Sequence, residues 1–238
     1  MKRIKILYAI PMAALLFGCN NEASKEEAKT ADTAAAASAP AAPEKPAFKP
    51  YKILAIQLKV KNFSKWQERY FADDSLRKAY GISHAVIGRD LKDSNKVYVL
   101  DKIEDFDKAR AYSKLPMLNE ASKKSTLVGS LGFSYGEIIR SNDESVASAE
   151  HLGVAHHVKN FETWVKAFDA DAGQRASNGI IDLSIARDLV DSNMVYLSFA
   201  VSDMAKAKAK MESPELKKIM NDAGVDSAPT VRWFRFVK

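Results

Sequence analysis

The segment Val60-Lys61-Asn62-Phe63 occurs a second time as Val158-Lys159-Asn160-Phe161. The same offset of 98 residues carries Trp66 onto Trp164, Arg77 onto Arg175, Gly81 onto Gly179 and Arg89-Asp90-Leu91 onto Arg187-Asp188-Leu189. Asp93-Ser94-Asn95 falls on Asp191-Ser192-Asn193, Val97-Tyr98 on Val195-Tyr196, Pro116 on Pro214 and Leu118 on Leu216, all without a gap. A chain that repeats itself in this way builds one supersecondary unit twice, so each element can be read from two sequences at once.

Leu54, Ile56, Leu58 and Val60 alternate with other residues, as do Leu152, Val154 and Val158, which predicts a first strand in each copy. Asn62 and Asn160 follow as helix N-caps, and Phe63, Trp66 and Tyr70, like Phe161, Trp164 and Phe168, recur at helical spacing. Gly81 and Gly179 suit the helix C-terminus. A second strand is expected over about 82–90 and 180–188, joined by the Asp-Ser-Asn turn to a third over 96–103 and 194–201. Helices then open near Asp105 and Asp203, further helical stretches start at Pro116 and Pro214, and last strands cover about 132–140 and 230–237. Ser213-Pro214-Glu215 combines a cap, a proline at the first helical position and an acid.

The resulting order is βαββαβ, an α+β unit of the ferredoxin-like type, occurring here as tandem repeats over 51–142 and 150–238. Two helices cover one face of its sheet and leave the other bare. Two copies in one chain bury both bare faces by packing sheet to sheet, which makes a pseudo-dimeric α+β barrel. On this topology, the Val-Lys-Asn-Phe-x-x-Trp opening and the Ser-Pro-Glu-Leu segment at 213–216, the chain resembles the dimeric α+β barrel superfamily, with its antibiotic-biosynthesis monooxygenase-like and stress-responsive members. That resemblance fixes a fold and not a function.

The first fifty residues are of another kind. Lys2, Arg3 and Lys5 precede an uncharged stretch from Ile6 to Phe17, too short to span a bilayer as a helix. The stretch ends in Leu16-Phe17-Gly18-Cys19, which resembles the bacterial lipobox. The resemblance implies a signal peptide over 1–18, a lipidated Cys19 as membrane anchor, and an envelope lipoprotein facing the periplasm. Asn20, where an Asp would favour inner-membrane retention, points to the outer membrane. Cys19 is the only cysteine, so an intramolecular disulfide is excluded. Residues 19–50 are rich in Ala, Pro, Glu and Lys and read as a disordered tether. The formal charge is +6 and falls to +3 without residues 1–18, which is no nucleic-acid footprint.

Strict alternation along the second and third strands assigns their faces. Ala85, Ile87, Ile181, Leu183 and Ile185 are expected to meet the helices, with His84, Val86, Asp182 and Ser184 on the barrel side. Val97, Val99, Val195, Leu197 and Phe199 go with the helices; Tyr98, Leu100, Tyr196 and Ser198 go with the barrel. His156 and His157 are neighbours on one strand and face opposite ways, so one of them reaches the interior. The candidate pocket is therefore His84, Tyr98, His156, His157, Asp182 and Tyr196. Two histidines and a carboxylate would suit Zn or iron, but their spacing is not diagnostic and none recurs between copies, so no metal is expected.

The superfamily's haem-binding tandem members use a proximal histidine in the C-terminal copy. Here that copy carries histidines only on its first strand, and no cofactor is expected. Asn62 and Trp66 look like the Asn and Trp of its cofactor-free monooxygenases, yet their recurrence as Asn160 and Trp164 is what fold maintenance requires. Two functional expectations stand. One is a module binding a small hydrophobic ligand or an envelope protein partner, with self-association open. The other is a monooxygenase-like enzyme acting on a small aromatic or hydrophobic substrate.

Overall fold

The computed structural model describes residues 48–118, 127–142, 148 and 150–237. The first repeat runs β1 (Tyr51–Lys59), α1 (Phe63–Ala72), α2 (Asp74–Ala79), β2 (Ile82–Asp90), β3 (Lys96–Ile103), α3 (Phe106–Ser113) and β4 (Gly132–Ser141). The second runs β5 (Glu150–His157), α4 (Phe161–Ala170), α5 (Ala172–Ser177), β6 (Ile180–Asp188), β7 (Met194–Val201), α6 (Met204–Glu212), α7 (Pro214–Asp222) and β8 (Thr230–Phe236). The signal-peptide and tether assignments, with Cys19, lie outside the described residues, as does the continuation of the helical stretch after Leu118. Among the described residues no helix is long and apolar enough to cross a membrane.

The helix expected after each first strand is broken in two. Asp73 and Asp171 end one helix and start the next, with φ near −88° and ψ near 10° instead of helical values. Elsewhere the caps explain the helix starts. Asn62 accepts from the Lys65 amide at 3.0 Å and Asn160 from the Thr163 amide at 2.8 Å. Asp105, Asp203 and Ser213 do the same for α3, α6 and α7, each such cap contributing about 1 kcal/mol. Gly179 has φ +72°, and a β-carbon there would lie 2.7 Å from the Asp203 backbone, so the turn into β6 admits only glycine.

All eight strands close into one antiparallel barrel in the order β1-β3-β2-β8-β5-β7-β6-β4. Each repeat supplies one four-stranded sheet, and two seams join them. At the first, Gly88, Arg89 and Asp90 of β2 face Phe236, Arg235 and Phe234 of β8. At the second, β4 pairs with β6 from Gly136–Asp188 to Ser141–Ser184. The expected sheet-to-sheet packing is thus achieved within one chain.

The hairpins are built identically in both copies. Asp90 Oδ1 accepts the Lys92 and Asp93 amides at 2.9 Å, and Asp188 Oδ1 accepts those of Val190 and Asp191 at 2.8 and 3.0 Å. Arg89 donates to the Ser94 carbonyl while lying 4.1 Å over the Phe63 ring, and Arg187 repeats this with Ser192 and Phe161. These residues tie the hairpin turn to the start of the first helix.

Apolar side chains fill three zones. Leu54, Val60, Trp66, Ile82, Val97 and Val99 bury the helices of the first repeat against its sheet; Leu152, Val158, Trp164, Ile180, Val195 and Phe199 do so in the second. Each buried aliphatic side chain stabilises by about 1.5–3 kcal/mol. Ile53, Ile138 and Ala186 form a smaller cluster inside the barrel.

A candidate ligand site inside the barrel

Alternation decides which side chains reach the interior, and two bulges change the outcome. The ladder of β2 shifts between His84 and Val86, and that of β6 between Asp182 and Ser184. One extra residue, Ala85 or Leu183, reverses the face of everything before it. Val86 and Ser184 therefore line the interior as expected, whereas His84 and Asp182 turn outward to the helices. The assignment of those two residues to the barrel pocket is corrected accordingly.

His84 sits against Tyr70, Phe71 and Asp101. The Tyr70 hydroxyl donates to Asp101 Oδ1 at 2.7 Å, so the His84 Nδ1 beside both groups, at 3.0 and 3.2 Å, carries the proton. Burial first, then the Asp101 charge, drives the Tyr70 phenol upward, while burial holds the Asp101 carboxyl above its ordinary range. Asp182 instead receives both Nε and Nη2 of Arg175, at 2.8 and 2.6 Å.

His156 also faces the helix layer, edge-on to Trp164, and neither ring nitrogen has a protein partner. Burial pushes its imidazole down to about 4. His157, at the strand end, bonds Asp226 through Nδ1 at 2.6 Å and is held above its ordinary range by that contact. Neither histidine lines the barrel. Among the described residues no group of three or more His, Cys, Asp or Glu is placed to hold a metal ion.

Tyr98 and Tyr196 do line the interior, with Leu100 and Ser198 from the same two strands. Together with β1, β4, β5 and β8 they line a half-open cavity of about 280 Å³. Its walls are mostly apolar: Ile53, Val86, Leu100, Ile138, Phe234 and Phe236. The two tyrosine hydroxyls are committed, Tyr98 to Asp90 Oδ2 at 2.9 Å and Tyr196 to Asp188 Oδ2 at 2.7 Å. Burial first, then these hydrogen bonds, raises both phenols, so they stay protonated and act as aromatic walls. Burial would lift the Asp90 carboxyl, but the Asp93 and Lys92 amides and the Tyr98 hydroxyl outweigh it and hold Asp90 below its ordinary range.

Four polar residues that strand reading had not singled out, Gln57, Ser134, Thr230 and Arg232, line the cavity. Arg232 of β8 donates from Nη2 to Gln57 Oε1 of β1 at 2.9 Å, linking the two sheets across the interior. Its guanidinium lies 5.9 Å from the Tyr98 ring centre. The signal was present: in Thr-Val-Arg-Trp-Phe-Arg-Phe, alternation puts Thr230, Arg232, Phe234 and Phe236 on one face. Glycines make room for that face. A β-carbon on Gly88 would meet the Phe234 ring at 2.8 Å, and one on Gly153 would meet it at 3.4 Å.

Comparison with models of protein families finds no match, and comparison with curated proteins finds none either. Comparison with solved structures does. An anthrone oxidase-like protein superposes with a TM-score of 0.53 at 10% identity, over 79% of this chain and 92% of its own. The likeness is one of fold, an α+β barrel of two ferredoxin-like halves. A ferredoxin-fold protein from Listeria monocytogenes related to antibiotic biosynthesis monooxygenases gives a TM-score of 0.46 at 6% identity, over 80% of this chain and 97% of its own. A heme-binding protein from Thermus thermophilus gives 0.47 at 10% identity, over 80% and 92%.

The barrel's own lining does not fit haem. Among the described residues no histidine lines it, and His151, at the barrel end, is stacked on Phe234 and tilted against Phe236. Asn62 and Trp66, alike in type to monooxygenase residues, serve as the α1 cap and as a ring stacked on Tyr70 in the helix layer.

Proposed function

We propose that this chain is an envelope lipoprotein, anchored through Cys19 in the outer membrane and facing the periplasm, whose barrel binds a small, largely apolar molecule. The observation that carries the binding reading is the cavity: about 280 Å³, walled by aliphatic and aromatic side chains, with few polar groups converging on it. An apolar cavity of about 150 Å³ is enough for benzene, so this one has space for a substituted ring. Binding is favoured over acid–base catalysis because, among the described residues, neither a carboxylate nor an imidazole lines the cavity. Its phenols are locked as donors to Asp90 and Asp188, and the imidazoles lie in the helix layer or at the strand ends.

Native mass spectrometry of the full chain, purified in detergent from its own host, tests the reading. The expected result is a diacylglyceryl mass on Cys19 and an additional mass of a few hundred daltons or less that leaves on denaturation. A bare protein mass, with no thermal shift from neutral single-ring aromatics, would overturn the ligand reading, and an unmodified Cys19 would overturn the anchor.

A further inference from the structure

The two repeats place the same Tyr–Asp pairs around the barrel, but its central polar contact breaks the symmetry. The offset that carries Tyr98 onto Tyr196 carries Ser134 onto Arg232 and Gln57 onto Ala155. What recurs in both copies is accounted for by the fold, as with the Asp90 and Asp188 turns. Arg232 and Gln57 recur in neither, so fold maintenance does not explain them.

Charge gives the second argument. Arg232 is partly buried among Phe234, Tyr98 and the apolar wall, and its guanidinium donates to the neutral amide oxygen of Gln57. No carboxylate of the described residues pairs with it, whereas Arg69, Arg77, Arg140, Arg175 and Arg235 each meet an Asp or Glu. Asp90 and Asp188, the acids of the hairpins, are occupied by backbone amides and tyrosine hydroxyls. A guanidinium in mostly apolar surroundings with one neutral acceptor retains most of its donors, and a planar anion satisfies them best.

Among the described residues the cavity lining contributes one cation, Arg232, and no second Lys or Arg, which matches a singly charged group and not a phosphate ester. The tyrosines, with hydroxyls turned to the hairpins, leave only their rings for the ligand body.

Resting on the reading of the barrel as a ligand site, we propose that it takes a small monocarboxylate with an aromatic or branched apolar body. The carboxylate sits on Arg232 beside Gln57 and the body against Phe234, Phe236 and the tyrosine rings. The asymmetry gives the ligand one orientation: head toward Arg232 and Gln57, tail toward Ile53 and Ile138.

Isothermal titration of the full chain with two matched pairs tests this: benzoate against benzamide and phenylacetate against phenylacetamide. Each acid should bind roughly tenfold or more tightly than its amide, the margin of a charge-assisted hydrogen bond. Arg232→Gln, which can keep the contact to Gln57, should erase that margin while leaving the amide affinities in place, and Arg232→Lys should restore part of it. Acids and amides binding alike, or an acid advantage surviving in Arg232→Gln, would overturn the carboxylate assignment and leave the ligand site standing. Failure of all four compounds to bind the wild-type protein would bring down both.

Discussion

The two helix layers of this protein are the same construction carried out with different buried polar groups. In both, an arginine guanidinium lies over an aromatic ring of the first helix, Arg77 at 3.8 Å over Tyr70 and Arg175 at 3.6 Å over Phe168, and bonds that residue's carbonyl. The acid differs. In the first layer Asp101 sits on β3 and receives Tyr70 and His84, while Arg77 turns to Asp74. In the second, the Asp101 position is Phe199 and the acid has moved to β6, where Asp182 takes Arg175 in a two-pronged contact. The arginine–ring contact belongs to the fold, whereas the placement of the carboxylate is open to each copy.

The comparison breaks most visibly at the arginines. Arg77 is 1% exposed, and Arg77→Ala should cost about 3–5 kcal/mol, the usual range for removing one member of a buried polar set. Arg175→Ala should cost less, because Arg77 also favours the charge of the fully buried Asp101, whereas Asp182, the partner Arg175 releases, is 42% exposed and can be hydrated. Urea denaturation of the two variants gives the ordering, and equal costs would refute the distinction.

The second layer carries a burden the first does not. At the position of Leu58 it has His156, buried and without a protein hydrogen-bond partner. Its folded pKa of about 4 lies below the ordinary value of 6.5, so the unfolded chain takes up the proton first. The stability His156 permits is complete above about pH 6.5 and is lost as the pH falls toward 4, by up to roughly 3 kcal/mol. Asp101, raised by burial, works in the opposite sense in acid, and His151, lowered by burial, in the same sense. The difference between wild type and His156→Leu isolates the one group. The variant should be the more stable, with a margin that widens between pH 6.5 and 4; a constant margin would show that His156 does not titrate there.

Smaller effects sharpen the picture. Tyr70→Phe copies the second layer into the first and takes a donor from buried Asp101, at a cost of about 1–2 kcal/mol. Asp188→Ala and Asp90→Ala each open a hairpin turn and release a tyrosine hydroxyl, with an expected loss of about 1 kcal/mol or less at these exposed turns. The two should match, because the hairpins are built alike, and melting temperatures of the pair check that.

The duplication, the hairpins, the cap residues and the face of β3 and β7 were legible in the sequence because each rests on a local rule read twice. The faces of β2 and β6 were not. A bulge inserts one residue without any change in residue type, so alternation placed His84 and Asp182 in the barrel when Ala85 and Leu183 turn them out of it. The break at Asp73 and Asp171 escaped for a similar reason, since neither residue interrupts the helical spacing of its neighbours. Tyr98 and Tyr196 were found from alternation alone, and the same rule applied to β8 would have added Arg232. What no local rule supplied was the contact between Arg232 and Gln57, which joins the last strand of the chain to the first.

That strand also governs when the barrel closes. β8 fills the gap between β2 and β5, bonding both, and among the described strands it comes last in chain order. Until it arrives, one edge of each sheet is open to any passing strand, and the β2–β8 pairing that closes the circle joins residues 144 to 148 positions apart. Contacts of such separation form late, after a large entropic cost of loop closure. The barrel therefore passes through an unclosed, edge-exposed stage at which it can pair wrongly with its neighbours. A chain truncated before Thr230 would be held at that stage.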